Sequence, residues 1–210
     1  MKCLSFLGTG QLRETRYRFE DKVCETPVVQ EALASFFPIE EMVFFVTRQA
    51  EERNYHQVLA RCPSGKKVSV PEGRSEAELW QIFTIVADEV KEGDTIIFDI
   101  THGLRSLPFI ALLSAAYLQE VKGATLAALV YGAFDVTEGS ETPIFDLSGF
   151  LQIFDWMAGV KSFMNHADAR EIRTLVQKIA AAQFLSSGGK EGPTQIAAFA
   201  GKLEGFTSAV

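Results

Sequence analysis

The order of apolar runs along the sequence predicts an α/β fold: a mainly parallel sheet with helices on both faces, followed by a C-terminal helical extension. Short apolar runs typical of buried strands alternate with segments of helical periodicity over roughly the first 150 residues. Strands joined through helices run parallel, because the crossover returns the chain to the same end of the sheet. After Ser148 the strand pattern stops and helical periodicity continues to about residue 185.

The predicted strands differ in how deeply they should be buried. Continuous apolar runs are typical of strands covered on both faces, and they occupy residues 2–7, 42–47, 95–100 and 126–131. Shorter or alternating runs indicate strands nearer the solvent, and they occupy residues 16–19, 67–70 and 144–147. We expect the run at 144–147 to form an edge strand.

The predicted helices have recognisable boundaries. Pro38 ends the first, and a capping box of Ser75 and Glu78 opens the third, which ends near Gly93. The helical segments are 28–37, 50–59, 76 to about 93, 106–119, and 148–185 with a break near 165–168. The predicted divisions are a ligand-binding domain at 1–150, a helical extension at 151–185, a linker at 186–193 and a short terminal helix at 194–210. That last helix indicates either a boundary within a longer protein or a surface that docks on a partner.

Composition and charge narrow the classes of function. A net charge of −7 argues against a broad surface for long nucleic acid, because such binding neutralises many phosphates, but it allows a small anion in a locally basic pocket. No apolar stretch reaches the roughly 18 to 20 residues that span a bilayer, so we expect no membrane association. The three cysteines have neither metal-ligand spacing nor an even number for disulfides, which favours the reducing cytoplasm and predicts no metal site.

The run from Asp99 to Pro108 carries the densest chemistry. It follows a buried strand and precedes a helix, and ligands of parallel sheets bind where strands end at their carboxyl side. We expect Thr101 and His102 to face a pocket. Asp99 lies within the apolar run, so we interpret it as a structural acceptor for neighbouring amides or for Arg105.

A glycine turn closes the first predicted strand. Gly8 and Gly10 either form only a tight turn or also let backbone amides approach an anion such as phosphate closely. Arg13 belongs by default to a solvated strand face, but it is close enough to Gly10 to reach such an anion. Arg13 also stands where the dinucleotide-binding fingerprint requires its third glycine, which counts against that class. Thr47 ends another buried strand and borders the same crevice, whereas Tyr131 either stacks on a base or only packs.

Three stretches together resemble the CARF domain, the CRISPR-associated Rossmann-like sensor of type III CRISPR defence. They are residues 4–10 (LSFLGTG), residues 99–108 (DITHGLRSLP), and residues 131–134 (YGAF) ahead of Asp146 and Leu147. The middle stretch is the specific one, and the resemblance covers roughly residues 1–150. It implies a homodimer, without cofactor, that binds a cyclic oligoadenylate, taken here as cyclic tetra-adenylate, across its two-fold axis.

The resemblance, read with the residues above, predicts the ligand contacts. These are Gly8, Thr9, Gly10, Gln11, Arg13, Thr47, Thr101, His102, Gly103, Arg105, Ser106 and Tyr131. Binding in this family activates an effector domain, which here would lie beyond Val210 or on a partner subunit.

Two alternatives to a sensor remain open. A metal-independent ring nuclease would cleave the bound ring by in-line attack of a ribose hydroxyl, and its candidate residues are Thr9, Thr101, His102 and Arg105. An unrelated Rossmann enzyme with a nucleotide cofactor is the other. No histidine has an arginine at the spacing of the HEPN ribonuclease motif, which argues against ribonuclease activity in this chain.

Overall fold

The computed structural model describes residues 1–102, 107–136, 141–166 and 168–186. The chain divides into two compact units, Met1–Ser148 and Gly149–Val210. The predicted contacts Gly103, Arg105 and Ser106 therefore lie outside the described residues, as do residues 187–210 of the predicted linker and terminal helix. The predicted domain limits stay a prediction.

One sheet of eight strands forms the centre of the first unit, and the strands are β1 (Lys2–Phe6), β2 (Thr15–Phe19), β3 (Lys22–Thr26), β4 (Glu41–Val46), β5 (Lys66–Ser69), β6 (Thr95–Asp99), β7 (Thr125–Gly132) and β8 (Glu141–Asp146). Their order across the sheet is β3-β2-β8-β7-β6-β1-β4-β5. Strands β1, β4, β5, β6 and β7 run parallel, β8 is antiparallel to β7, and β2 pairs in parallel with β8 and antiparallel with β3. The predicted α/β class with a mainly parallel, Rossmann-like sheet is confirmed.

The described helices connect the parallel strands and form the second unit. One helical segment, after β4, contains a π-helical turn (Glu51–Tyr55), and short 3₁₀ turns lie at Phe134–Val136 and Ser148–Leu151. In the described ranges every helix is too short or too polar to cross a lipid bilayer. The α-helices are α1 (Val29–Phe36), α2 (Arg48–Ala50), α3 (His56–Arg61), α4 (Glu76–Asp88), α5 (Leu107–Glu120), α6 (Gln152–His166) and α7 (Arg170–Ser186).

Alternate residues of the strands build two apolar layers. On one face Cys3 belongs to a buried cluster with Leu33 of α1. On the other, Phe6 stacks near Phe45 and Phe98, with ring centroids 5.1 and 6.0 Å away. Each fully buried ring stabilises the fold by about 1.5–3 kcal/mol. The connections β5–β6 and β6–β7 run along the sheet in the opposite direction to β1–β4, so right-handed crossovers put α4 and α5 on the face away from α1.

Two sequence expectations about the strands are wrong in detail. The predicted edge strand at 144–147 is β8, which lies between β7 and β2 and is therefore an interior strand. It is covered because β2 and β3 form a hairpin that adds to its free side. Strand β3 was not predicted, since its partly exposed residues lack an apolar run.

The helical stretch after residue 148 is broken between His166 and Arg170, where the sequence predicts the break.

Candidate functional site

The direction of winding changes between β1 and β6. Strand β4, the next parallel strand after β1 along the chain, pairs with one side of β1. Strand β6, which comes later in the chain, pairs with the other side of β1. The turns after β1 and β6 therefore flank a crevice at the carboxyl ends of both strands, which is where open α/β sheets bind ligands. We call them the β1 turn (residues 8–10) and the β6 turn (residues 101–102).

The two turns touch at Gly8 and His102. A Cβ atom on Gly8 would lie 2.8 Å from the Cβ of His102 and 3.0 Å from its carbonyl oxygen. Real Cβ atoms do not approach that closely, so glycine is what allows the turns to meet. A Cβ atom on Gly10 would meet nothing within 4 Å, so only Gly8 is required to be glycine by a neighbouring residue.

Asn54 holds the β1 turn. It lies in the π-helical turn, is 5% exposed, and its Nδ2 donates to the carbonyl oxygens of Gly8 and Gly10 at 2.7 Å each. Arg53 donates from Nη1 to the carbonyl oxygen between them, that of Thr9, at 3.3 Å. The three carbonyls of the turn thus all accept from one turn of helix.

Buried polar groups of the sheet hold the β6 turn. The carboxylate of Asp99 is fully buried and accepts from Ser5 Oγ at 2.6 Å and from the N–H of Thr101 at 2.9 Å. Gln30 donates to Ser5 Oγ at 2.9 Å, and Thr101 Oγ1 accepts from the N–H of Gly132 at 2.9 Å. The interpretation of Asp99 as an acceptor for a neighbouring amide is confirmed.

His102 carries a largely buried imidazole. Its ring lies against that of Phe134, with centroids 5.7 Å apart and planes inclined by 26°. Burial lowers the pKa of His102, and the nearby carboxylate of Asp99 opposes that effect only in part. The Nε2 atom is buried and bonds to none of the described residues. Nε2 is thus shielded from solvent, and a ligand would reach it only if the ring moved.

A cavity of about 300 Å³ opens beside His102. The rings of Tyr17 and Phe134 meet edge to face in its wall, with centroids 5.9 Å apart. Exposed Arg13 donates to Gln11 Oε1 at 3.4 Å. The lining residues are Gly10, Gln11, Leu12, Arg13, Thr15, Tyr17, Pro27, His102 and Phe134. The structure thus brings together four predicted contacts, Gly10, Gln11, Arg13 and His102.

Two other predicted contacts lie apart from this cavity. Thr47 is 3% exposed, and its hydroxyl accepts from the N–H of Ala50, so it caps α2. Tyr131 lies within β7 opposite Phe145 of β8 and does not line the cavity. Of the two readings of Tyr131, this position favours packing.

Asn54, Tyr17 and Phe134 were missed as site residues. A signal for Asn54 exists in the sequence: it stands four residues after Ala50 and four before Val58, both fully buried. A polar side chain in the middle of a buried helical stripe must find hydrogen-bond partners, so its position indicates a contact. Tyr17 and Phe134 carry no comparable local signal.

Comparison with known proteins yields a distant relative. No family model matches the chain. Over 109 residues the chain is 30% identical to a CRISPR-associated protein of Methanocaldococcus jannaschii, a match that covers 50% of this chain and 17% of that protein. The matched region is thus a small part of the relative's length.

Proposed function

We propose that the first unit binds a cyclic oligoadenylate and serves as the sensor of a type III CRISPR antiviral defence system. The observation that carries this proposal is the contact of Gly8 with His102 where the β1 and β6 turns flank one crevice. The relative from Methanocaldococcus jannaschii supports the wider link to CRISPR defence. The motif resemblance supports the narrower choice of ligand.

The phosphates of the ring are the anions we assign to the β1 turn. Backbone N–H groups of glycine-rich turns bind phosphate oxygens, and Arg13 stands beside them as a cation. Arg105, six residues past the buried end of β6, is the second proposed phosphate contact. A chain with a net charge of −7 needs such local cations to hold a polyanion.

One adenine base is assigned to the cavity beside His102. Its volume of about 300 Å³ is at the small end of ligand pockets, which suits one base and not a whole ring. The exposed ring of Phe134 offers a surface on which a base stacks, and buried Tyr17 supports that ring edge to face. The imidazole of His102 lines the same cavity and lies against Phe134, so it adds ring surface beside the base.

Two copies of the chain would share one ring. A cyclic tetra-adenylate can be two-fold symmetric, and an isologous dimer presents each surface twice, so their axes can coincide. The bound state would then be passed to an effector domain or partner subunit beyond Val210.

A gel assay without metal tests the proposal. The protein is incubated with radiolabelled cyclic tetra-adenylate and analysed on a native and on a denaturing gel. A shifted band with an intact ring is expected. A linear product that disappears in His102→Ala would replace the sensor with the ring nuclease, whereas absence of any shift with tri-, tetra- and hexa-adenylate rings would overturn both.

Matched variants sharpen the assay. His56→Ala removes an exposed histidine of α3 and is expected to leave binding unchanged, whereas His102→Ala weakens it. Arg105→Ala should weaken binding by about 1.5–3 kcal/mol, the scale of a hydrogen bond to a charged group, and by about twice that if the dimer uses both copies. Unchanged affinity in Arg105→Ala would move the phosphate contact to another residue.

A further inference from the structure

Side chains of one helical turn donate hydrogen bonds to every carbonyl of the β1 turn. Asn54 donates to the carbonyl oxygens of Gly8 and Gly10 at 2.7 Å each, and Arg53 donates to that of Thr9 at 3.3 Å. Asn54 lies 46 residues from Gly8 in sequence, so this attachment is made by the fold and not by local turn geometry. In each of these bonds the helix side chain is the donor and the backbone carbonyl of the turn is the acceptor.

The orientation of the carbonyls determines that of the amides. Peptide bonds here are trans, and in a trans peptide the N–H of one residue points opposite to the C=O of the residue before it. The N–H groups of Thr9, Gly10 and Gln11 are therefore directed away from the helix. Consecutive N–H groups turned to one side form a concavity that binds anions.

The helix is unusual where it makes these contacts. Residues 51–55 form a π-helical turn, which carries one more residue than an α-helical turn and recurs at functional sites. Asn54 is the polar member of a buried stripe whose other members are Ala50 and Val58. A purely structural helix would place an apolar side chain there.

We propose that Asn54 is a positioning residue, which fixes the β1 turn so that its three N–H groups face a phosphate of the ligand. Asn54 touches the turn and not the ligand. The identity of the ligand rests on the proposed function, whereas the orientation of the amides rests on the hydrogen bonds above. The two therefore fail separately.

The test compares Asn54→Ala with Val58→Ala. Val58 lies one helical turn further along the same buried stripe, so its truncation weakens the same helix while the donors of Asn54 and Arg53 to the β1 turn remain. Affinity for cyclic tetra-adenylate is expected to fall by about tenfold or more in Asn54→Ala, the factor that one hydrogen bond contributes, and to stay within about twofold in Val58→Ala. Equal losses in both variants would overturn the proposal, because they would show a general role in helix stability.

A second readout needs no ligand. Hydrogen exchange and amide chemical shifts of Thr9, Gly10 and Gln11 are measured in the free protein, where Asn54→Ala should change all three and Val58→Ala should not. Unchanged amides would overturn the positioning role even if the ring binds. If the wild-type protein binds no ring and the amides still respond, the proposed ligand fails and the positioning role stands.

Arg53→Ala covers the case in which Asn54→Ala does not fold. Arg53 is exposed, so its truncation carries little risk to the fold. It should shift the amide of Gly10, whose peptide bond carries the Thr9 carbonyl, and weaken ring binding by about two- to threefold, less than a full hydrogen bond. No change in either measurement would overturn the proposal.

Discussion

The β1 turn and the β6 turn line the same crevice, yet different parts of the fold hold them. Asp99 and Ser5, both fully buried in the sheet, fasten the β6 turn from within. The β1 turn is fastened from outside, by Asn54 of a helix that follows another strand. The β6 turn is thus held by buried groups of the sheet, whereas the β1 turn is held by side chains of a helix that packs beside it.

This difference predicts how each turn should respond to substitution. Damage to the holders of the β6 turn leaves buried polar groups without partners, which costs stability as well as geometry. Damage to the β1 turn should change ligand affinity more than stability, except at Gly8, where the two turns touch. The following substitutions test that contrast.

The largest effect is expected from Asp99→Ala. It removes the acceptor of two buried donors, the hydroxyl of Ser5 and the N–H of Thr101, and should lower the free energy of unfolding by about 3 kcal/mol or more. Urea unfolding measures this loss. The control Asp88→Ala truncates an exposed aspartate at the end of α4 and should stay within about 0.5 kcal/mol of wild type. A small effect of Asp99→Ala would mean that the β6 turn is not fastened from the core.

Gly8→Ala should follow, with a loss of about 1–3 kcal/mol. The added Cβ would lie 2.8 Å from the Cβ of His102 and 3.0 Å from its carbonyl oxygen, so one of the turns must shift. Gly10→Ala is the matched control in the same turn, because its Cβ meets nothing within 4 Å. Urea unfolding of both variants gives the difference, and equal losses would show that the turns do not touch at Gly8.

Much of the fold could be predicted from the sequence because its central strands are continuous apolar runs. Strands β1, β4 and β6 are buried on both faces, and burial of that kind leaves a local signal. The interior position of β8 could not be predicted, since it depends on a hairpin more than a hundred residues away in sequence. Strand β3 was missed because exposure removes the apolar pattern.

Distance in sequence also decides which residues of the site could be predicted. The place of His102 beside the cavity could be predicted because its strand, its turn and the structural acceptor Asp99 are neighbours in sequence, whereas Thr101, expected in the same pocket, instead accepts from the N–H of Gly132. Asn54 could not be assigned to the β1 turn, because only the folded chain brings it beside Gly8. The part of the site held by its own strand is visible in the sequence, whereas the part held by a distant helix is not.

A smaller effect is expected where β7 meets the β6 turn. Thr101→Val keeps the shape of the side chain but removes the oxygen that accepts from the N–H of Gly132 at 2.9 Å. The loss should be about 1 kcal/mol, the contribution of one hydrogen bond, as measured by urea unfolding. Thr101→Ser retains the oxygen and should keep the Gly132 amide protected from hydrogen exchange. If Thr101→Ser and Thr101→Val lose that protection equally, the hydroxyl is not what joins β7 to the turn.

The smallest effect is the pH dependence that His102 gives to the β6 turn. Burial lowers the pKa of His102 in the folded protein below its ordinary value of 6.5, so the unfolded chain binds more protons in the range between the two values. The stabilising contribution is therefore complete above pH 6.5 and is lost as the pH falls through that range. Asp99 opposes the shift, which keeps the effect small.

Urea unfolding between pH 7.5 and about 5 measures this contribution. The free energy of unfolding should fall more steeply with acid in wild type than in His102→Gln, which cannot take up the proton. His56→Gln is the control, because that side chain is exposed and should leave the slope as in wild type. Identical slopes for wild type and His102→Gln would mean that the imidazole is solvated in the folded protein, and the β6 turn would then be as loosely attached as the β1 turn.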